Sequence, residues 1–184
     1  MNKVQPIRDK RIMRDIFDYL YEKNKRDGVM YALGIYTGLR ISDILPLRVR
    51  DAKKDYIYLR EKKTRKEKRI PINRFIRKLL DDYIKDKKDF ECLFRSPRKN
   101  ANIPITRQQA YNILSDAGKK FGIDSGIGTH TLRKTFGYHY YQKTHDVATL
   151  MEVFNHDREE ITLRYIGITQ DIITNIYNDI DLLE

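Results

Sequence analysis

Four short segments of this 184-residue chain bring together residue types suited to handling a phosphate. Gly38-Leu-Arg-Ile-Ser-Asp43 places Arg40 after a glycine turn at a predicted helix start, with Asp43 three residues on along the same face. An arginine fixed by a neighbouring carboxylate is a pre-oriented bidentate clamp for phosphate oxygens. Lys63 lies in a polar connection, eight residues before Pro71. From a β-turn, a lysine can reach into a groove and protonate an alkoxide leaving group. His130-Thr-Leu-Arg133 opens another predicted helix, so His and Arg share a face beside unpaired N–H groups that favour anions. His156 is followed nine residues later by Tyr165. Taken singly, each segment has a plain alternative: a surface ion pair, a solvated lysine, or ordinary members of a set of 4 His and 13 Tyr.

The surrounding pattern supplies elements to carry these residues. Ile12, Met13, Ile16, Phe17 and Leu20 recur at helical spacing within 7–26. Val29 to Tyr36 reads as a buried helix stopping at Thr37-Gly38, and Leu39 to Leu45 as a short one ending at Pro46. The period then changes: Asp55 to Arg60 and the approach to Ile70-Pro-Ile72 alternate, which predicts a β-hairpin with a basic connection. Asn73 caps a helix bearing Phe75, Ile76, Leu79, Leu80 and Tyr83, and Thr106 caps one bearing Ala110, Ile113, Leu114, Ala117 and Phe121. Between them, Cys92-Leu-Phe94 is a short extended piece, a third strand in expectation. Further helices run from about His130 to Gln142, through Val147–Phe154, and along Ile168, Ile172, Ile176 and Ile180. The expected class is α+β, mainly helical, with a small three-stranded antiparallel sheet beside a helical bundle.

Composition narrows the partners. The chain carries 37 Lys+Arg against 26 Asp+Glu, a formal net charge of +11. Residues 48–78 hold 14 basic and four acidic side chains, about +10 of that total, whereas Tyr165 to Glu184 has no Lys or Arg and four acidic residues. A concentrated basic stretch points to a polyanion, nucleic acid first among them. No apolar run approaches the roughly 20 residues of a membrane span, and no signal-peptide core opens the chain. A single cysteine, Cys92, excludes an internal disulfide and a cysteine-based zinc site. The expectation is a cytoplasmic, DNA-associated protein with no membrane segment, no metal and no cofactor.

The order GLRxSD, basic hairpin Lys, HxLR, then His-x8-Tyr resembles the signature of tyrosine recombinases, the phage-integrase family. The apolar context agrees: Tyr31 to Gly38 is similar to the helix before the family's first Arg, Ile70-Pro-Ile72 to the strand after its Lys, and Thr135-Phe-Gly137 to the residues after HxLR. The resemblance covers roughly 6–170. It implies the tyrosine-recombinase catalytic fold and a site-specific strand transferase, acting in integration or excision of mobile bacterial or phage DNA without metal or ATP. Arg40, Arg133 and His156 would hold the scissile phosphate, Lys63 would protonate the leaving 5′-oxygen, His130 would act as acid/base, and Tyr165 would be the nucleophile. Asp43 would support Arg40 without touching substrate, while Lys62, Arg65, Lys66, Lys68 and Arg69 would track the DNA backbone. Lys62 and Lys66 compete with Lys63; the offset from Pro71 and the following Thr64 favour Lys63.

Two departures stand out. Phe154-Asn-His156 replaces the Leu-Gly-His common in the family. The chain also begins almost at the catalytic domain, so the expected organisation is 1–167 catalytic and 168–184 a tail helix, without the helical core-binding domain that usually precedes it. The tail's isoleucine face has two destinations, its own domain or a neighbouring subunit in a tetramer on double-stranded DNA. His139, His145, Tyr138, Tyr140, Tyr141 and Tyr177 lie outside the signature and read as packing or surface residues. A topoisomerase re-ligating the same strand, or a DNA-binding regulator of the same fold, are the competing functions. The compact GLRxSD and HxLR spacing favours an integrase over the first, and the complete polar set disfavours the second.

Overall fold

Polar caps and left-handed glycines cut the chain into short helices. The computed structural model describes residues 4–61, 63, 65–98, 101–123 and 126–180. Helix α1 spans Lys10–Lys23 and starts where the Asp9 carboxylate accepts from the Arg11 N–H. Asn24 ends it and at once caps α2, Lys25–Thr37, by accepting from the Arg26 N–H. Val29 to Leu33 are all buried, so α2 is the central helix, and it stops at Gly38 with φ 62°. Two one-turn helices follow, α3 at Ile41–Ile44 and α4 at Val49–Ala52.

Strands β1, Tyr56–Arg60, and β2, Glu67–Pro71, form an antiparallel hairpin with Ile57 opposite Ile70 and Leu59 opposite Lys68. Among the described residues the sheet has these two strands, where three were expected. The Cys92–Phe94 segment is extended, but it pairs elsewhere. Leu93 N–H donates to Leu47 O at 2.8 Å and Ile105 N–H to Phe94 O at 2.9 Å, leaving isolated bridges Arg48–Cys92 and Arg95–Pro104. Its backbone groups are thus satisfied by neighbouring loops, and Pro104 has no N–H with which to extend a ladder.

Helix α5, Arg74–Ile84, is capped by Asn73, and α6, Arg107–Lys120, by a reciprocal Thr106–Gln109 box. Helix α7 spans Thr129–Thr144, α8 Val147–Phe154, α9 Glu159–Ile166 and α10 Ile168–Asp179. Helix α7 lies against α2. The approach depends on Gly34, where an added Cβ would meet Leu132 Cδ1 at 2.4 Å, and on Gly38, where it would meet the Phe136 ring at 2.5 Å. The N-terminal segment is tied to the same helix: Ile7 N–H donates to Thr135 Oγ1, Lys134 Nζ donates to Val4 O, and His139 Nε2 bonds Ile7 O. His139 is therefore structural, as its place outside the signature implied.

The large core gathers α1 through α7 and the hairpin. A smaller one joins Leu150, Phe154, Ile166 and Ile168 beneath α7, with Phe136 and Tyr165 packed against it. Gly137 makes this second contact possible, since a Cβ there would lie 2.7 Å from both the Phe154 ring and Ile166 Cγ2. Overpacking of this kind costs about 1–3 kcal/mol, more than the ~1 kcal/mol that replacing a helical Gly returns in propensity. Gly137→Ala should therefore lower the urea midpoint of unfolding, and an unchanged or higher midpoint would show that α8 and α9 yield freely.

Candidate active site

The close packing of α2 on α7 sets two arginines side by side. Arg40 stands at the N-cap of α3, just past the Gly38 turn, and Arg133 lies on the first turns of α7. Arg133 is 3% exposed. Its Nη1 donates to Gly38 O at 2.5 Å and its Nη2 to Val153 O at 3.3 Å, while the guanidinium lies 4.4 Å from the Phe154 ring centroid. One side chain thus fixes both the turn that presents Arg40 and the end of α8. Burial first, then the charge of Arg40, pulls the Arg133 pKa below its ordinary value.

A carboxylate that the sequence reading did not single out, Glu61, pairs with Arg40: Arg40 Nη1 to Glu61 Oε1 is 2.8 Å, and Glu61 is fully buried. Asp43 is buried too, and its charge favours the Arg133 cation. Glu61 was missed because it reads as one acidic residue in a basic run. A signal was present, however: strand alternation puts Ile57, Leu59 and Glu61 on one inward face, with Tyr58 and Arg60 outward. The same alternation turns Lys68 inward beside Ile70. Lys68 Nζ donates to Val153 O and stands 3.4 Å from Glu61 Oε1, so this cation faces the protein. Burial, opposed by Glu61, lowers its pKa.

Lys63 is exposed at the hairpin turn, and its charge is among those that depress His156. Arg65, in a left-handed conformation with φ 61°, and Lys66 are exposed beside it. Arg69, on the outer face, stacks over Tyr56 at 3.7 Å. Lys62, and Thr64 on which the choice of Lys63 leaned, lie outside the described residues.

His156 follows α8, its Nδ1 3.0 Å from Thr162 Oγ1 of α9. Its ring meets the Tyr165 ring edge-on at 5.3 Å and 80°. Burial, then Arg133 and Arg40, depresses the His156 pKa. His130, exposed on the first turn of α7, is lowered by partial desolvation and then by Lys134, Arg107, Arg133 and Arg40. Tyr165, on the last turn of α9, is pushed up by burial while Arg133 and Arg40 pull it down. Arg40 and Arg133 thus act on His130, His156 and Tyr165, while Lys63 stands exposed at the hairpin turn.

Two arginines therefore act together on one phenol and two histidines. The family model for the phage integrase family matches residues 9–171. The chain belongs to the phage integrase family. Cutting and rejoining DNA strands is the reaction of this family. Among its relatives, the probable integrase/recombinase YoeC of Bacillus subtilis is 47% identical over 178 residues, covering 96% of this integrase and 97% of YoeC. Tyrosine recombinase XerA of Pyrococcus horikoshii is 26% identical over 164 residues, 88% of this chain but 57% of that one. Among solved structures, an XerA recombinase superposes with a TM-score of 0.73 at 19% identity, over 96% of this chain and 65% of that one. The catalytic domain of bacteriophage HP1 integrase does so at 0.64 and 23% identity, over 88% and 87%.

The charge relations of the integrase site are open to direct measurement. His156 should titrate below its ordinary value of about 6.5 in an NMR series on its ring protons. Arg40→Ala should move that midpoint up without restoring 6.5, because burial is the larger cause. A depressed histidine contributes stability that is present above about pH 6.5 and lost as pH falls through the folded midpoint. A wild-type midpoint above 6.5 would refute the cationic cleft.

Proposed function

We propose that this protein is a site-specific DNA strand transferase that works through a 3′-phosphotyrosyl intermediate. The observation that carries the reading is the convergence of Arg40, Arg133 and His156 on the Tyr165 phenol, with both arginines acting on its pKa. In the reaction, Tyr165 Oη bonds to phosphorus as the bond to the 5′-oxygen breaks. The phenolic proton passes to His130, and Lys63 gives a proton to the departing oxygen. Arg40, Arg133 and His156 neutralise the charge that builds on the non-bridging oxygens, which is where such catalysis gains most. A second strand's 5′-hydroxyl then attacks the phosphotyrosine and releases Tyr165. The bond energy is kept in that ester, so the step needs no ATP, and the chain's own cations supply the positive charge a metal would otherwise bring.

Lys63 at the rim fits its role, because a hairpin turn can move toward DNA that fills the cleft. Arg65, Lys66 and Arg69 lie on the exposed side of the same hairpin and suit backbone phosphates, with Lys62 on the same connection. Lys68, facing inward, suits the cleft better than the DNA backbone. No described helix is long and apolar enough to cross a membrane, in keeping with a DNA-associated, cytoplasmic protein.

Residues 1–167 form the catalytic unit in this reading and 168–184 an exchange element. The base of α10 is docked in cis, with Ile168 buried and Arg8 Nη2 2.5 Å from Asp171 Oδ1. Beyond it Ile172, Ile176, Ile180 and Tyr177, the last 78% exposed, present an open apolar stripe. A groove floored by Phe17, Ile35 and Phe136 and rimmed by Lys10, Arg14 and Lys143 offers the complementary charge on a second copy. A homotetramer on double-stranded DNA, closed by these tails, is the assembly that follows.

Three experiments test this. A pool of nicked duplexes of randomised sequence should yield a denaturant-stable protein–DNA adduct that Tyr165→Phe does not form; equal adduct from that variant would reject the nucleophile. On the captured duplex, Lys63→Ala should cleave slowly and recover when a 5′-thiol leaving group removes the need for an acid. Failure to recover would pass the acid role elsewhere. Removing 168–184 should abolish higher-order complexes on that duplex in sedimentation, and unchanged assembly would rule out the tail as the connector.

A further inference from the structure

Glu61 joins three parts of the site. Its Oε1 accepts from Arg40 Nη1 at 2.8 Å and lies 3.4 Å from Lys68 Nζ. Its Oε2 accepts from Asn155 Nδ2 at 3.0 Å. Its backbone closes the root of the hairpin, the N–H donating to Lys66 O and the carbonyl accepting from Arg65 N–H. The turn bearing Arg40, the hairpin bearing Lys63 and the residue before His156 are therefore tied to one fully buried carboxylate. Burying a carboxylate is costly unless it is paired and hydrogen-bonded, and here each oxygen has a partner.

Asn155 makes the tie possible in this chain. It occupies a left-handed C-cap, φ 54° and ψ 55°, the conformation for which the Gly of Leu-Gly-His is suited. Asparagine tolerates that conformation and adds an amide, and the amide reaches Glu61. The departure from the family pattern at 155 and the unforeseen acid at 61 are thus two ends of one contact.

Resting on the strand-transfer reading, we propose that Glu61 is a positioning residue. It holds Arg40 and, through Asn155, the His156 loop in the geometry that receives the scissile phosphate, without itself touching DNA. Arg40 has five N–H donors, so committing Nη1 to Glu61 leaves donors for phosphate while removing rotameric freedom. Removing the carboxylate takes away a negative charge shared by Arg40, Lys68 and Arg133, of which Arg133 still has Asp43 acting on it. The cleft then attracts an anion at least as well but places it less accurately. Binding and chemistry must therefore separate in the variants.

The test uses the nicked duplex captured by wild-type protein, with single-turnover cleavage and equilibrium affinity measured at one salt concentration. Glu61→Gln should cleave at least about tenfold more slowly, as expected for a misplaced catalytic group, with affinity unchanged or tighter. Glu61→Asp should recover part of the rate. Asn155→Gly keeps the left-handed cap and removes only the amide, so it should slow cleavage several-fold with no loss of affinity. Wild-type cleavage rates in Glu61→Gln or Asn155→Gly would overturn the proposal, as would a parallel fall of rate and affinity, which marks a merely structural residue. If Glu61→Gln does not fold, Asn155→Gly decides the matter on the same criteria. Failure of the wild-type protein to form any adduct would instead remove the strand-transfer reading itself.

Discussion

Three cations, Arg40, Lys68 and Arg133, are held in one partly dry cleft against their mutual repulsion, and the rest of the fold is arranged around that constraint. Two unit charges about 4 Å apart at an effective dielectric near 20 interact by about 4 kcal/mol, so such a cluster does not assemble by preference. It is held by anchors that are individually neutral or negative: the carbonyls of Gly38 and Val153, the ring of Phe154 and the carboxylate of Glu61. These anchors come from three segments: the turn after α2, the hairpin and the end of α8. The cleft is the meeting place of α2, the hairpin, α7 and α8.

The small residues at the contacts between those segments follow from the same demand. Arg133 can reach the Gly38 carbonyl only if α7 lies close along α2, and Gly34 and Gly38 permit that distance. Gly137 then lets Phe154 slide under α7, which puts Val153 O within reach of both Arg133 and Lys68. Gly167, with φ 92°, ends α9 two residues after Tyr165 and starts α10 in a new direction. Backbone permissiveness and charge placement are coupled here, because a bulkier residue would widen the gap that a guanidinium must span.

Much of this was legible from residue types alone. The helical periods of α1, α5 and α6, their Asp/Asn/Thr caps and the alternating hairpin come from local preference, and local preference is what a sequence displays. Arg40, Arg133, His130, His156 and Tyr165 were picked out by the order of their motifs and the family resemblance that this order carries. Pairings across distant segments were not. Asp43 drew attention as a neighbour in sequence, whereas Arg40 took Glu61, 21 residues on, because strand alternation faces that carboxylate inward. Cys92–Phe94 has a strand's composition, yet a strand's partner is decided by which loop lies beside it, and loops 47–49 and 103–105 lay closer than the hairpin. Lys68 was grouped with surface lysines by composition; only the register opposite Leu59 distinguishes it.

The field in the cleft also bears on when the tyrosine would lose its proton. Without DNA, burial raises the Tyr165 pKa, and Arg133 and Arg40 offset only part of the rise. A phosphate entering the site brings negative charge to those same arginines and cancels part of their field. The phenol is then harder to ionise than in the free protein. The same cancellation raises His130 and His156, which Arg133 and Arg40 hold down in the free protein. A histidine moved toward neutral pKa is a better proton acceptor near pH 7. Phosphate binding therefore raises the tyrosine and the histidines together, making the phenol a weaker acid while the histidines become better proton acceptors, and the cation cluster couples the two shifts.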